Sequence, residues 1–152
     1  MVAAPGTYEA WSGSVRWPDP GSSGLSADPD GDGLPNLLEY AMGSPPLQAG
    51  DPPLNSSFTN ISGEDYLVLK FRRSATAQDT TLEILASTNL SVWTSQAQST
   101  GPNGFILVNQ DAQTSVSESD ADQTGSFREV TFQDGTPVGT QPKRFLRLRI
   151  SK

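Results

Sequence analysis

Tyr66-Leu-Val-Leu-Lys-Phe-Arg72 decides the fold class. Its apolar residues Leu67, Leu69 and Phe71 recur every second position, which puts them on one face of an extended strand rather than on the stripe of a helix. Thr81-Leu-Glu-Ile-Leu-Ala86 repeats the pattern, with Leu82 and Ile84 together. Further runs of strand character are Gly104-Phe-Ile-Leu-Val108, Phe127-Arg-Glu-Val-Thr-Phe132 and Arg144-Phe-Leu-Arg-Leu-Arg-Ile150, and shorter ones lie at 57–61, 93–98 and 114–118. Six to eight short strands separated by turn residues predict an all-β fold, an antiparallel β-sandwich over residues 53–152.

Between two of these runs, Asp111 to Gly125 is rich in Ser, Asp, Gln and Thr and reads as an exposed hairpin or loop. Asp120 and Asp122 lack the glycine turn and full ligand set that a cation site needs.

Upstream of the strands, Pro45, Pro46, Pro52 and Pro53 mark residues 44–57 as a linker. Before it stands Asp28-Pro-Asp-Gly-Asp-Gly-Leu-Pro-Asn-Leu-Leu-Glu39. With Asp28 as the first position, carboxylates fall at loop positions 1, 3 and 5 (Asp28, Asp30, Asp32), and Gly33 takes the sharp turn at position 6. The Leu34 carbonyl, Asn36 and Glu39 take positions 7, 9 and 12. Asp, Gly and Pro also make ordinary solvated turns. Two considerations favour a metal site instead: every ligand slot of a calcium loop is occupied, and four carboxylates confined together repel one another without a cation. The all-oxygen donor set suits Ca2+, and the chain has no His or Cys to hold zinc or copper.

Leu34, Leu37, Leu38 and Ala41 then recur at helical spacing, Pro35 suits a first turn, and Gly43 followed by Pro45 and Pro46 ends the helix. About two turns are too few to persist alone, so the helix must dock on the sandwich. Gly21-Ser-Ser-Gly24 argues against any helix entering the loop, and Pro35 lacks the N–H through which paired loops associate. A single loop without a helix pair to open is a fastener rather than a sensor.

Residues 1–52 are thus expected to form an aromatic arm, the loop at 28–39 and a short helix, all packed on the sandwich. Tyr8, Trp11 and Trp17 lie in the arm, which shows no helical or strand period of useful length. Their first reading is packing, and their second is a platform on which sugar rings stack. Trp93 and Phe105 are weighed the same way, Trp93 first as a core plug. Half of the ten basic residues lie at 143–152. There Arg147 and Arg149 form either a solvated outer face or a cationic strip for an acidic polysaccharide.

A net charge of −7 excludes nucleic acid as a partner. No apolar run is long enough to span a membrane. With neither His nor Cys, the usual nucleophile–base couples cannot be assembled, and the most clustered acids already serve the calcium loop, so the chain is expected not to be an enzyme. Met1 runs directly into polar sequence, and the expectation is a piece excised from a longer chain.

Ala27-Asp-Pro-Asp-Gly-Asp-Gly-Leu-Pro-Asn-Leu-Leu-Glu-Tyr-Ala-Met-Gly43 resembles the calcium-binding segment of C-terminal modules in large secreted proteins of planctomycete and verrucomicrobial bacteria. Trp11, Ala86-Ser-Thr-Asn-Leu-Ser-Val-Trp93 and Lys143-Arg-Phe-Leu-Arg-Leu-Arg149 resemble the same modules, so the likeness runs from about residue 8 to residue 150. The loop alone is similar to thrombospondin type 3 and dockerin repeats, although dockerins carry two such loops. The resemblance implies a secreted or cell-surface bacterial multidomain parent with this piece as an accessory module. The expected function is carbohydrate binding through Trp11, Trp17, Tyr66, Arg147 and Arg149, with a polysaccharide and neighbouring domains as partners and the module itself monomeric. The alternative is a purely structural spacer, cap, or export and surface-attachment module.

Overall fold

The computed structural model describes residues 2–3, 5–140 and 143–152. Two short helices, α1 (Tyr8–Ser14) and α2 (Asn36–Met42), precede eight strands: β1 (Leu54–Ile61), β2 (Glu64–Ser74), β3 (Thr81–Ser87), β4 (Thr94–Thr100), β5 (Ile106–Leu107), β6 (Ser115–Asp120), β7 (Phe127–Pro137) and β8 (Phe145–Ser151). They form two four-stranded sheets in the orders β1-β2-β7-β6 and β5-β4-β3-β8. All pairings are antiparallel. Every strand expected from the period-two pattern is present, and the architecture is that of a β-sandwich. Strand ends differ in places: β5 keeps only two residues of the 104–108 run, and Trp93 lies in the turn before β4.

The sandwich core forms because alternate residues of facing strands converge. Leu69 and Phe71 of β2 meet Val130 and Phe132 of β7, and Leu82, Ile84 and Ala97 approach from the second sheet. Ala41 and Met42 of α2 belong to this same core. Each large side chain buried here contributes about 1.5–3 kcal/mol relative to exposure.

Docking completes α2, as its seven-residue length requires. Its C-terminal carbonyls would otherwise be orphaned, and the Arg72 guanidinium on β2 meets them: Nε donates to Met42 O at 3.1 Å and a terminal nitrogen donates to Gly43 O at 2.9 Å. Gly43 closes the helix in the left-handed region at φ 74°. A Cβ there would lie 2.1 Å from the Phe127 ring, so this close approach admits only glycine.

The arm differs from expectation. It contains α1, capped by the Thr7 side chain accepting from Ala10 N, and a 3-10 turn at Pro20–Ser23 capped by Asp19. Two turns cannot display a readable period, and capping together with tertiary packing stabilises them instead. Upstream of the loop, where the glycines predict no helix, Asp19 caps this single 3-10 turn, which is too short to act as the entering helix of a paired-helix loop.

The inward-facing series Leu69, Phe71 on β2 continues to Arg73, which is 2 % exposed and paired with Glu118 of β6 at 2.8 Å. Burial works to raise the Glu118 pKa, but the hydrogen bond and charge of Arg73 prevail and hold it below its ordinary value. Its contribution to stability is therefore complete above the unfolded carboxyl pKa and lost as pH falls through the lowered native one. Glu118→Ala leaves a buried guanidinium without its carboxylate. We expect a loss of about 3–5 kcal/mol in urea unfolding at neutral pH; a loss of only a few tenths would show that the pair behaves as a surface one.

Candidate metal centre

Asp28, Asp30 and Asp32 converge as the loop spacing predicts, each offering a carboxylate oxygen within 4.8 Å of the others. The backbone holds them there. Asp28 accepts from Gly31 N and Gly33 N, both at 2.9 Å, Asp30 accepts from Asp32 N, and Asp32 accepts from Leu34 N at 2.8 Å and from Gly50 N at 3.0 Å. Gly31 and Gly33 take φ of 76° and 91°, the left-handed conformations that let the chain curl around its own carboxylates.

Asn36 and Glu39, on the first turns of α2, are both fully buried. Asn36 Nδ2 donates to the carbonyls of Ser22 at 2.7 Å and Gly24 at 2.8 Å, tying the helix to the 3-10 turn. That leaves Oδ1 with no donor. Neither carboxylate oxygen of Glu39 has a hydrogen-bond partner, nor has Asp30 Oδ2. Among the described residues, seven buried side-chain polar atoms lack a partner, and four of them are on these three residues. Buried acceptors without donors are rare because each costs about 1–3 kcal/mol. Here they concentrate on loop positions 3, 9 and 12.

The electrostatics agree. Burial, followed by the charges of Asp30, Asp32 and Asp28, pushes the Glu39 pKa up from 4.5 to about 7. Four carboxylates share one region, and among the described residues no Lys or Arg forms an ion pair with any of them. Such an arrangement can hold a hard divalent cation through oxygen donors.

The loop also anchors the arm. Tyr8 donates its hydroxyl to Ser23 O at 3.1 Å and stacks edge-on to Tyr40 of α2, with ring centroids 5.5 Å apart. Trp11 lies 5.3 Å from Tyr8 and 5.5 Å from Tyr40, and Trp17 meets Trp11 at 5.9 Å with planes 69° apart. Trp17 Nε1 donates to Ser12 O. Asp79, in the turn before β3, accepts the Tyr8 backbone N–H and, at 2.7 Å, the Tyr40 hydroxyl, so α1 and α2 are both pinned to the sandwich. The Gly6 carbonyl also lies against the Tyr40 hydroxyl, whose single proton it shares with Asp79. Asp79 had no signal in the sequence, being one acid in a turn whose role arises from partners 39 and 71 positions away.

The five residues considered for sugar binding do not form one site. Trp11 and Trp17 belong to the aromatic cluster beside α1. Tyr66 is 5 % exposed on β2, with its hydroxyl on Glu64. Arg147 and Arg149 lie on β8 in the other sheet, where Arg147 covers the Trp93 ring at 4.1 Å and Arg149 pairs with Glu83. Phe105 packs edge-on to Phe71 at the core margin.

No known protein family, curated protein or solved structure matches this chain. Among the described residues, no helix is long and apolar enough to cross a membrane.

The raised Glu39 pKa has a definite sign. Between the unfolded value of 4.5 and the native value of about 7 the native state holds the extra proton, so metal-free stability is greatest below this window and falls as pH rises through it. In a chelating buffer, the melting temperature should drop between pH 5 and pH 8, and Glu39→Gln should flatten the profile. A metal-free melt that rises across this range would refute the assignment.

Proposed function

We propose that this chain is a non-catalytic, calcium-stabilised accessory module of a secreted multidomain protein, in which the loop at 28–39 clasps the aromatic arm and α2 to the sandwich. The observation that carries this reading is the concentration of unpartnered buried oxygens on Asp30, Asn36 and Glu39 beside Asp28 and Asp32. A cation supplies the missing counter-charge to all of them at once. The side chains of Asp28, Asp30, Asp32, Asn36 and Glu39 and the Leu34 carbonyl would hold it, within the six to eight oxygens that calcium takes.

Calcium in this role adds no chemistry to a substrate. It supplies positive charge to a buried acidic cluster and so converts a destabilising arrangement into a stabilising one. At calcium a hundredfold above Kd, linkage contributes about 2.7 kcal/mol to the folded state. Extracellular modules with loops of this type bind at roughly 10⁻⁴ to 10⁻³ M, which fits a protein that meets calcium outside the cell.

Of the two functions expected from the sequence, the structural one has the better support. Sugar stacking needs exposed rings that share a flat face. Tyr8, Trp11, Trp17 and Tyr40 meet one another at 45° to 88°, and Arg147 already covers a face of Trp93. Rings arranged in this way pack the arm.

Thermal melts with excess calcium and with chelator test the proposal. Calcium should raise the melting temperature by several degrees, and Asp30→Ala should remove that difference while leaving a folded protein. Equal melts with and without calcium would defeat the metal reading. Retention on a polysaccharide affinity gel, lost in Trp17→Ala, would instead restore the glycan reading.

A further inference from the structure

Four strands end the two sheets: β1 and β6 in one, β5 and β8 in the other. An edge strand presents unpaired N–H and C=O groups that template another strand, and folded proteins blunt such edges by shortness, charge or covering. Three edges here are blunted. β5 has two residues, β6 carries Glu118 and Asp120, and β8 carries Arg147 and Arg149. In contrast β1, Leu54-Asn-Ser-Ser-Phe-Thr-Asn-Ile61, has eight residues, no charge and no proline, and is exposed along most of its length.

The free groups of β1 can be assigned. It pairs with β2 in unbroken register from Leu54↔Phe71 to Ile61↔Glu64. The connecting Ser62-Gly63 both take positive φ, as in the two-residue hairpin turn that makes its flanking pair a hydrogen-bonded one. Alternation then directs the backbone groups of residues 55, 57, 59 and 61 to β2 and those of 54, 56, 58 and 60 outward, where the Leu54 N–H is already taken by Pro52 O. Arg72 N donating to Pro53 O continues the same alternation. Midway along the free edge, Phe58 is 63 % exposed. It shares the core-side face with its partner Leu67 and lines a cleft of about 430 Å3 with Glu64, Asp65, Pro137 and Val138.

We propose that β1 is a self-association edge, on which β1 of a second copy docks antiparallel across a twofold axis at Phe58, joining two β1-β2-β7-β6 sheets into one. A twofold perpendicular to the sheet keeps each face continuous, so it can pair only residues of the same face. Centred on Phe58, it sets Phe58 against Phe58, Ser57 against Thr59 and Ser56 against Asn60. The most exposed ring on the sheet thus gains an aromatic cross-strand partner, and hydroxyl meets hydroxyl on the opposite face. Charge permits this occupant: β1 carries none of the chain's net charge of −7, so pairing it with its own copy sets no like charges against each other within the contact strand. A dimer of this kind departs from the monomer expected from the sequence.

Sedimentation velocity of the full chain in excess calcium, over a concentration series, tests the proposal. The wild type should pass from monomer to dimer. Phe58→Lys sets two like charges against each other on the axis and should weaken association about tenfold or more, with its melt unchanged because the side chain is exposed. Ile106→Lys, equally exposed on the short β5 edge, should leave the dimer intact. Because the chain has no cysteine, Phe58→Cys gives a second measurement that stays valid if Phe58→Lys misfolds. Directly opposed residues of a hydrogen-bonded pair lie within disulfide reach, so mild oxidation should link Phe58→Cys chains and not Ile106→Cys chains. A monomer at every concentration overturns the proposal, including one that takes up an added extended peptide along β1. So does a dimer that survives Phe58→Lys, dissolves equally with Ile106→Lys, or cross-links no better at position 58 than at 106.

Discussion

The N-terminal third of this protein depends on one electrostatic constraint, the placement of Glu39. Its carboxylate is fully buried on α2, has no hydrogen-bond donor, and lies within the field of three aspartates. A helix that simply needed to cover the sandwich could have an apolar residue there at lower cost. The position makes physical sense when a cation completes it, and the same ion would fix the loop, Asn36 and the carbonyls that Asn36 holds. The proposed calcium thus acts on a connected set of contacts rather than on one turn.

From α2 the constraint spreads in two directions. Ala41 and Met42 enter the sandwich core and Arg72 meets the helix C-terminus, so shifting α2 disturbs β2 directly. On its other side Tyr40 packs against Tyr8 and Trp11 and shares Asp79 with the start of α1. Neither helix is long enough to persist in water. Each persists because the other, the loop and the turn before β3 satisfy its ends and cover its apolar face.

The sandwich itself is assembled differently. Its centre is apolar, while charged pairs such as Arg73–Glu118 and Arg144–Asp134 lie buried beside it. The first links β2 to β6 across 45 positions of sequence and the second ties the residue before β8 to β7; each is costly to break singly, which favours one register over slipped alternatives. Its edges are unequal as well: charge or brevity blunts three, and the fourth is left as a neutral ribbon.

The sequence alone determined the β class, the places of six to eight strands and the spacing of the loop carboxylates. Each is a local property: a period of two shows which side chains share a face, and a twelve-residue loop brings its own ligands together over a short span of chain. The sandwich pairing, the burial of Asn36 and Glu39, the role of Asp79 and the tilted packing of the arm's rings were decided only by tertiary structure. A seven-residue helix such as α1 shows no readable period, and a turn aspartate has no meaning until residues 39 and 71 positions away reach it. Composition likewise could not say whether Trp11 and Trp17 face water or one another, because an aromatic ring serves either a sugar or a core, and only its neighbours choose.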